Sequence, residues 1–377
     1  MNPPRSGSRT MVPALVVGAT GLLVLGVQPL LYGGYVHEGV IAEARLGTLA
    51  AVEISAIALG SVAGVQMLGR WRTQLVGLMG LALLIAGNLL PVETALFAWR
   101  TLAGAGAGMV VAIAAAQIAR QVNVNEASGL FLFFQATSQY AILQGFTLLA
   151  PTASTQMVQA ALAGISLLVL PVLFMVPARP SVASETYERL QSPPPAGWIA
   201  LIASAMFLGS AIGIWAYLGV WLESAGVPAD GVSARLTAAL AGQIAGTLGA
   251  VALGTHRRSS LQVLASGTAM TLATALLLQH GPQGVVGWAL MIGFGLAWMI
   301  GTPALSGLLL EVDPARRSLP YGASAQLVGA AIVPTAVGEI IAARGTDMVL
   351  AASAGLVALS LLAVGLALVA RSAQRAI

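Results

Sequence analysis

The sequence predicts an all-α integral membrane protein with twelve transmembrane helices in two pseudo-symmetric six-helix bundles. Three observations carry this. The chain is 58% hydrophobic and only 8% charged, with a mean hydropathy of +0.88, whereas a soluble chain carries about 25% charged residues. Apolar runs of the roughly 20 residues needed to cross a hydrocarbon core recur along nearly the whole length. A motif also repeats. Residues 99–106 read W-R-T-L-A-G-A-G and residues 288–295 read W-A-L-M-I-G-F-G, so Trp, four residues, Gly, one residue and Gly recur at an offset of 189 in a chain of 377.

Each apolar run must be helical, because a spanning backbone has to satisfy its own hydrogen bonds. The first, 11–36, follows a short basic start, M-N-P-P-R-S-G-S-R-T. It is too long for a signal-peptide core and lacks a small-residue cleavage site, so it is expected to remain as a span. Runs at 45–68, 73–92, 94–119, 127–150 and 156–177 complete a first bundle over 1–177. The longest polar stretch, 178–195, reads A-R-P-S-V-A-S-E-T-Y-E-R-L-Q-S-P-P-P. Its proline, serine and charge suit an exposed cytoplasmic linker. Runs at 196–222, 232–254, 260–280, 284–310, 319–342 and 347–370 then form a second bundle over 196–377.

The repeat extends beyond the tryptophan motif. A-R-L at 44–46 recurs at 234–236, and L-G-S at 59–61 matches L-G-A at 248–250. Offsets of 189 to 190 at three places are the signature of parallel repeats. Orientation follows from the arginines. With a cytoplasmic N-terminus, thirteen arginines fall on the cytoplasmic side and three, Arg45, Arg235 and Arg344, on the other, while Arg100 lies inside a span. Both termini are therefore expected in the cytoplasm, and the expected placement is a bacterial inner membrane.

Composition excludes several classes. There are no cysteines, so disulfides and thiolate metal sites are absent. The basic residues are scattered over short loops, which is not a nucleic-acid footprint. No phosphate loop, nucleotide cassette or catalytic triad is present, so neither an enzyme nor an ATP-driven pump is expected. His37, His256 and His280 sit at span ends or loops in no ligand spacing, and no metal or cofactor is expected.

Twelve spans, a central cytoplasmic linker, cytoplasmic termini and two six-span halves resemble the major facilitator superfamily. The likeness covers about the whole chain and lies mostly in architecture. The loop between spans two and three in that family reads like G-x-x-x-D-R-x-G-R-R; here residues 62–72 read V-A-G-V-Q-M-L-G-R-W-R. Gly69, Arg70 and Arg72 match its end, while Gln66 and Met67 replace the acid and the first arginine. The equivalent loop of the second half, L-G-T-H-R-R at 253–258, keeps the basic pair Arg257 and Arg258. The resemblance makes these residues a conformational loop. Arg100 with Gly104, Gly106 and Gly108 is similar to the family's span-four R-x-x-x-G-x-G, an arginine linked to proton transfer in drug antiporters. The Gly/Pro-rich antiporter motif of span five is missing; residues 131–145 read F-L-F-F-Q-A-T-S-Q-Y-A-I-L-Q-G.

Two charges inside spans point to chemistry. Glu53 lies about eight residues into span two and Arg100 about seven into span four, roughly 10–12 Å deep from the same side at about 1.5 Å per residue. A lone acid or arginine near a helix centre costs about 2.5–3.5 kcal/mol on insertion scales. Opposite charges at matching depth imply a pair or a shared aqueous cavity. In the functional reading Glu53 is the proton site and Arg100 tunes it or binds an anionic substrate, and a substrate carboxylate on Arg100 would free Glu53 to take a proton. The alternative is an ion pair that only fixes helix packing. Burial favours the neutral acid and a neighbouring arginine the ionised one.

The first span carries G-V-Q-P-L-L-Y-G-G-Y, in which Pro29 and Gly33/Gly34 are expected to loosen the helix, as discontinuous helices often frame a transporter's substrate site. Gln28 and Tyr32 are candidate lining groups. The resemblance places spans one, four, seven and ten around a cavity, which adds Trp215 and Tyr217 from span seven and Trp298 and Met299 from span ten. Intramembrane Gln135, Gln139, Gln243 and Gln326 either line the pathway or hydrogen-bond between helices. Gly60/Gly64, Gly104/Gly108 and Gly242/Gly246 have the spacing of close helix packing.

These features predict a secondary active transporter working by alternating access. It is expected to couple protons to a small organic solute, an organic anion or an amphipathic aromatic compound. The alternatives are a proton-driven efflux pump for lipophilic or cationic drugs and, from another class, a non-transporting sensor or assembly factor, which the minimal loops argue against. Its partners would be a small-molecule substrate, protons and the lipid bilayer, with no nucleic acid, and the chain would act as a monomer.

Overall fold

A computed structural model describes residues 7–375 apart from 91, 119–120, 122–123, 150–152, 179–191 and 254–257. Most of the expected linker, and Arg257, therefore lie outside the described residues. Fourteen α-helices build twelve spans: α1 (Gly7–Gly21), α2 (Leu23–His37), α3 (Leu46–Leu68), α4 (Thr73–Leu89), α5 (Val92–Ile118), α6 (Val124–Leu149), α7 (Thr155–Leu168), α8 (Leu170–Phe174), α9 (Pro195–Ser224), α10 (Ala229–Leu253), α11 (Ser259–His280), α12 (Gly284–Val312), α13 (Gly322–Arg344) and α14 (Met348–Arg375). Among the described residues, ten spans are long and apolar enough to cross a bilayer, and α4 is a shorter apolar helix. The chain is a multi-pass membrane protein.

Two spans are each made of two helices. In the first span the interruption is at Leu22, with φ −101° and ψ 5°, and α2 then runs unbroken through Pro29 and the Gly33/Gly34 pair. The expected loosening at Pro29 and Gly33/Gly34 is thus corrected to a step seven residues earlier. Packing explains the position. A Cβ on Gly18 would lie 2.3 Å from the Ala114 Cβ and one on Gly21 would lie 2.5 Å from the Ala107 carbonyl, so α1 is pressed onto α5 up to that point. The Leu22 carbonyl is then met by the Gln139 side-chain amide at 2.7 Å. In the sixth span the step falls at Val169, where Pro171 opens α8; proline cannot donate to the preceding turn.

The chain divides into two compact units: the described parts of Met1–Val40, Val52–Gly145 and Thr152–Thr186, and those of Ile41–Ala51, Phe146–Pro151 and Tyr187–Ile377. In the first unit the core joins Ala14 and Val17 of α1, Val76 and Leu81 of α4, Val110 and Ile113 of α5 and Leu173 of α8. Glycines then bring α3 and α5 into backbone contact. A Cβ on Gly60 would lie 2.1 Å from the Ala105 carbonyl, and one on Gly108 2.0 Å from the Ile57 carbonyl. Without a hydrophobic drive between helices in lipid, such close approach is a main source of association.

The second unit repeats the device. A Cβ on Gly242 would sit 2.0 Å from the Ile292 carbonyl and one on Gly295 1.9 Å from that of Ala239, which seats α10 on α12. At the start of the same pair Arg235 lies 5.2 Å from the Trp288 ring and donates from Nε to the Pro282 carbonyl at 3.0 Å. The A-R-L and tryptophan repeats of the sequence thus meet in space here, as a cation–π clasp. The turn and first residues of α3 also belong to this unit. Gly47 packs against the Pro334 carbonyl, Gly338 against that of Ala44, and the Gly47 N–H donates to the Tyr217 hydroxyl at 2.6 Å.

Candidate functional site

The charged centre lies in the first unit, and one glycine positions it. Gly104 stands one turn after Arg100 on α5, and a Cβ there would lie 2.6 Å from the backbone carbonyl of Glu53 itself. The missing side chain lets α3 approach until the two charges meet. Arg100 Nη2 donates to Glu53 Oε1, and both side chains are fully buried. Of the two arrangements the sequence left open, a pair or a shared aqueous cavity, the structure shows the ion pair.

The pair sits in a chain of polar contacts from four helices. On α2, Gln28 Nε2 donates to the Tyr32 hydroxyl at 2.9 Å, and that hydroxyl donates to Glu53 Oε2 at 2.6 Å. On the other flank Arg100 Nη1 donates to Asn88 Oδ1 at 2.8 Å, and Asn88 Nδ2 donates to the Leu84 carbonyl at 2.8 Å within α4. Gln28, Tyr32 and Tyr35 fall at i, i+4 and i+7, on one face of α2, and the two tyrosine rings stack at 6.3 Å. Gln28, Tyr32, Tyr35, Glu53 and Arg100 are fully buried and Asn88 nearly so. Three atoms of this cluster find no hydrogen-bond partner among the described residues: Gln28 Oε1, the Tyr35 hydroxyl and Arg100 Nε. The Tyr35 hydroxyl lies beside the Arg100 guanidinium.

The other residues singled out in the sequence fall into two groups. In the first unit, Gln139 is buried on α6 and committed to the Leu22 carbonyl, while Gln135, one turn earlier, is half-buried. In the second unit, Trp215 of α9 lies 6.0 Å from Trp298 of α12, and Phe294 completes the cluster at 5.9 Å from Trp298. Met299 is also buried. Tyr217 is close in sequence but has another task, since its hydroxyl accepts the Gly47 N–H. Gln243 is buried on α10 and Gln326 half-buried on α13. Gly69, Arg70 and Arg72 are exposed where α3 turns into α4, and Arg258 is exposed at the N-cap of α11. Asn88 and Tyr35 carried no signal beyond being polar residues in apolar runs.

No protein-family model matches the sequence, and no curated protein matches it. Solved structures do. A D-xylose–proton symporter shares 15% identity over 94% of this chain and 97% of its own, with a TM-score of 0.70. The proton:xylose symporter XylE of the major facilitator superfamily, bound to 6-bromo-6-deoxy-D-glucose, shares 14% identity over 94% and 95%, with a TM-score of 0.67. The nucleoside transporter NupG shares 15% identity over 95% and 99%, with a TM-score of 0.71. Likeness over nearly the full length of each chain, reached with so few shared residues, establishes architecture, and this chain has the fold of major facilitator superfamily transporters.

Proposed function

We propose that this protein is a secondary active transporter that works by alternating access and couples a small organic solute to protons, with Glu53 as the proton site and Arg100 as its partner. The observation that carries the reading is the fully buried Glu53–Arg100 pair. Ionisable groups inside spans are costly, and they commonly mark proton and substrate pathways. The surrounding network supports the same reading, because Gln28, Tyr32, Tyr35 and Asn88 gather polar groups around the pair inside the apolar helices. The fold is shared with proteins named as proton symporters and as a nucleoside transporter.

The chemistry follows from the contacts. Both Glu53 oxygens are engaged, one by Arg100 and one by Tyr32. A proton can reach the carboxylate once the Arg100 bond is released. A solute that accepts from Arg100 supplies that release, so solute arrival and protonation favour each other. An anionic solute acts by replacing Glu53 on the guanidinium, because the pair as it stands is neutral. The arginine asymmetry of the loops supports an orientation with both termini cytoplasmic, and the placement that goes with this reading is a bacterial inner membrane.

A second reading, proton-driven efflux of lipophilic or cationic drugs, draws on the buried Trp215–Trp298–Phe294 cluster, since aromatic faces attract organic cations. Proteoliposomes loaded with a pH-sensitive dye separate the two. Sugars, nucleosides, organic anions and lipophilic cations are added in turn to wild type and to Glu53→Gln. Solute-driven proton movement in the wild type that vanishes in Glu53→Gln is expected, and the active class names the substrate. Proton movement that persists in Glu53→Gln would overturn the assignment of Glu53.

A further inference from the structure

We infer that Asn88 is a positioning residue for this centre: its side-chain carbonyl holds the Arg100 guanidinium while Glu53 carries a proton, and so sets how readily the carboxylate is released. The inference rests on the reading of Glu53 as the proton site.

The geometry is a fork with two acceptors. Arg100 sends Nη1 to Asn88 Oδ1 at 2.8 Å and Nη2 to Glu53 Oε1. The guanidinium donates in every protonation state of the cluster and accepts in none. It therefore needs an acceptor both when Glu53 is ionised and when it is neutral. Asn88 Oδ1 is that constant partner, because its amide does not titrate. Its orientation is fixed as well. Asn88 Nδ2 donates to the Leu84 carbonyl at 2.8 Å, and a flipped amide would lose this bond and turn an N–H₂ group toward a cation. Asn88 is 3% exposed, so water does not offer a replacement acceptor. The groups facing Glu53 are Arg100 from α5 and Tyr32 from α2; Tyr35, stacked on Tyr32, turns its hydroxyl toward Arg100, and α4 contributes the neutral Asn88.

The consequence is directional. Without an acceptor at position 88, a protonated Glu53 leaves the buried guanidinium with only a neutral carboxyl oxygen and the neighbouring Tyr35 hydroxyl, a weaker set of acceptors than it has now, so protonation is resisted. With a carboxylate at 88, Arg100 is satisfied without Glu53, and two acids share one cation. A merely structural asparagine would move the titration in neither direction, or in the same direction for both changes.

The test reads the proton directly and needs no solute. The full-length protein in lipid nanodiscs is titrated while infrared difference spectroscopy follows the C=O stretch of a buried protonated carboxyl. Glu53→Gln identifies the band by removing it. The band midpoint should fall by about one pH unit or more in Asn88→Leu. Asn88→Asp should titrate in two coupled steps, the upper at least about one unit above the wild-type midpoint. A Glu53 band that stays within a few tenths of a unit in both variants, or moves the same way in both, overturns the role of Asn88 and leaves the proton site standing. A band that survives Glu53→Gln instead sinks the proton-site reading, and this inference with it. Thermal unfolding of each variant, measured in parallel, shows whether the protein tested is folded.

Discussion

Removing one member of the Glu53–Arg100 pair should cost more stability than removing both. Glu53→Gln leaves a net positive charge in the interior of the first unit, and Arg100→Met leaves a net negative one, with Asn88 Oδ1 and Glu53 Oε1 both deprived of their donor. Stranding one partner of a fully buried pair costs about 3–5 kcal/mol, whereas replacing both by uncharged groups of similar volume is often neutral or stabilising. The double variant Glu53→Gln/Arg100→Met should therefore lie within about 2 kcal/mol of wild type. With single losses of about 3–5 kcal/mol each, the cycle then gives a coupling energy of at least about 4 kcal/mol, above the usual range for residues in contact. Equilibrium unfolding in mixed micelles with rising SDS measures all four proteins on one scale. Single losses that add to the double loss within about 0.5 kcal/mol would mean that the side chains do not interact, and the argument built on their contact would fail.

Other outcomes follow from contacts already described. Gly104→Ala places a methyl 2.6 Å from the Glu53 carbonyl and 2.9 Å from the Ala56 Cβ; the same unfolding assay should show a loss of about 1–3 kcal/mol from overpacking and a smaller Glu53–Arg100 coupling in its background. Glu38 accepts the Thr155 N–H at 3.0 Å and its hydroxyl at the start of α7, so Glu38→Ala should cost roughly 1 kcal/mol as a lost helix cap and speed hydrogen exchange in the first turn of α7. Tyr217→Phe strands the buried Gly47 N–H, a penalty of about 1–3 kcal/mol. Because the chain has no cysteine, a single thiol introduced as Ala44→Cys reports this cleanly, and it should label faster in the Tyr217→Phe background.

The charged centre was legible because charge is expensive in an apolar run. Glu53 and Arg100 could be singled out one at a time, and counting residues from the same span end put them at one depth. The glycine spacings were legible for a related reason, since Gly60, Gly64, Gly104 and Gly108 remove side chains where two backbones meet. Neutral polar residues carry no such mark. Asn88 looks like any asparagine near a helix end, and Tyr35 like any aromatic, until the fold turns them toward Arg100. Gln139 was ambiguous for the same reason: an amide inside a span fits a substrate path as well as a backbone carbonyl, and the fold shows its Nε2 on the Leu22 carbonyl. The step at Leu22 could not be read from composition either. Pro29 and Gly33/Gly34 are the local helix breakers, yet the interruption falls where α1 leaves α5, and tertiary contact overrides local preference. Tyr217 lies two residues from Trp215, and its bond to the Gly47 N–H could not be read from the sequence either.

The neutrality of the Glu53–Arg100 pair has an electrical consequence. While Glu53 is ionised, the centre is a dipole with no net charge, and a voltage across the bilayer does little work on it. On the proposed reading, a proton on Glu53 with a neutral solute aboard leaves the Arg100 cation uncompensated, so the loaded centre would carry one elementary charge, whereas an anionic solute would cancel it. Carried through the whole field, that charge would exchange about 2.3 kcal/mol with every 100 mV of membrane potential. Steps taken with the proton aboard should then feel the potential in proportion to the distance moved, while the return of the empty protein should be electrically silent.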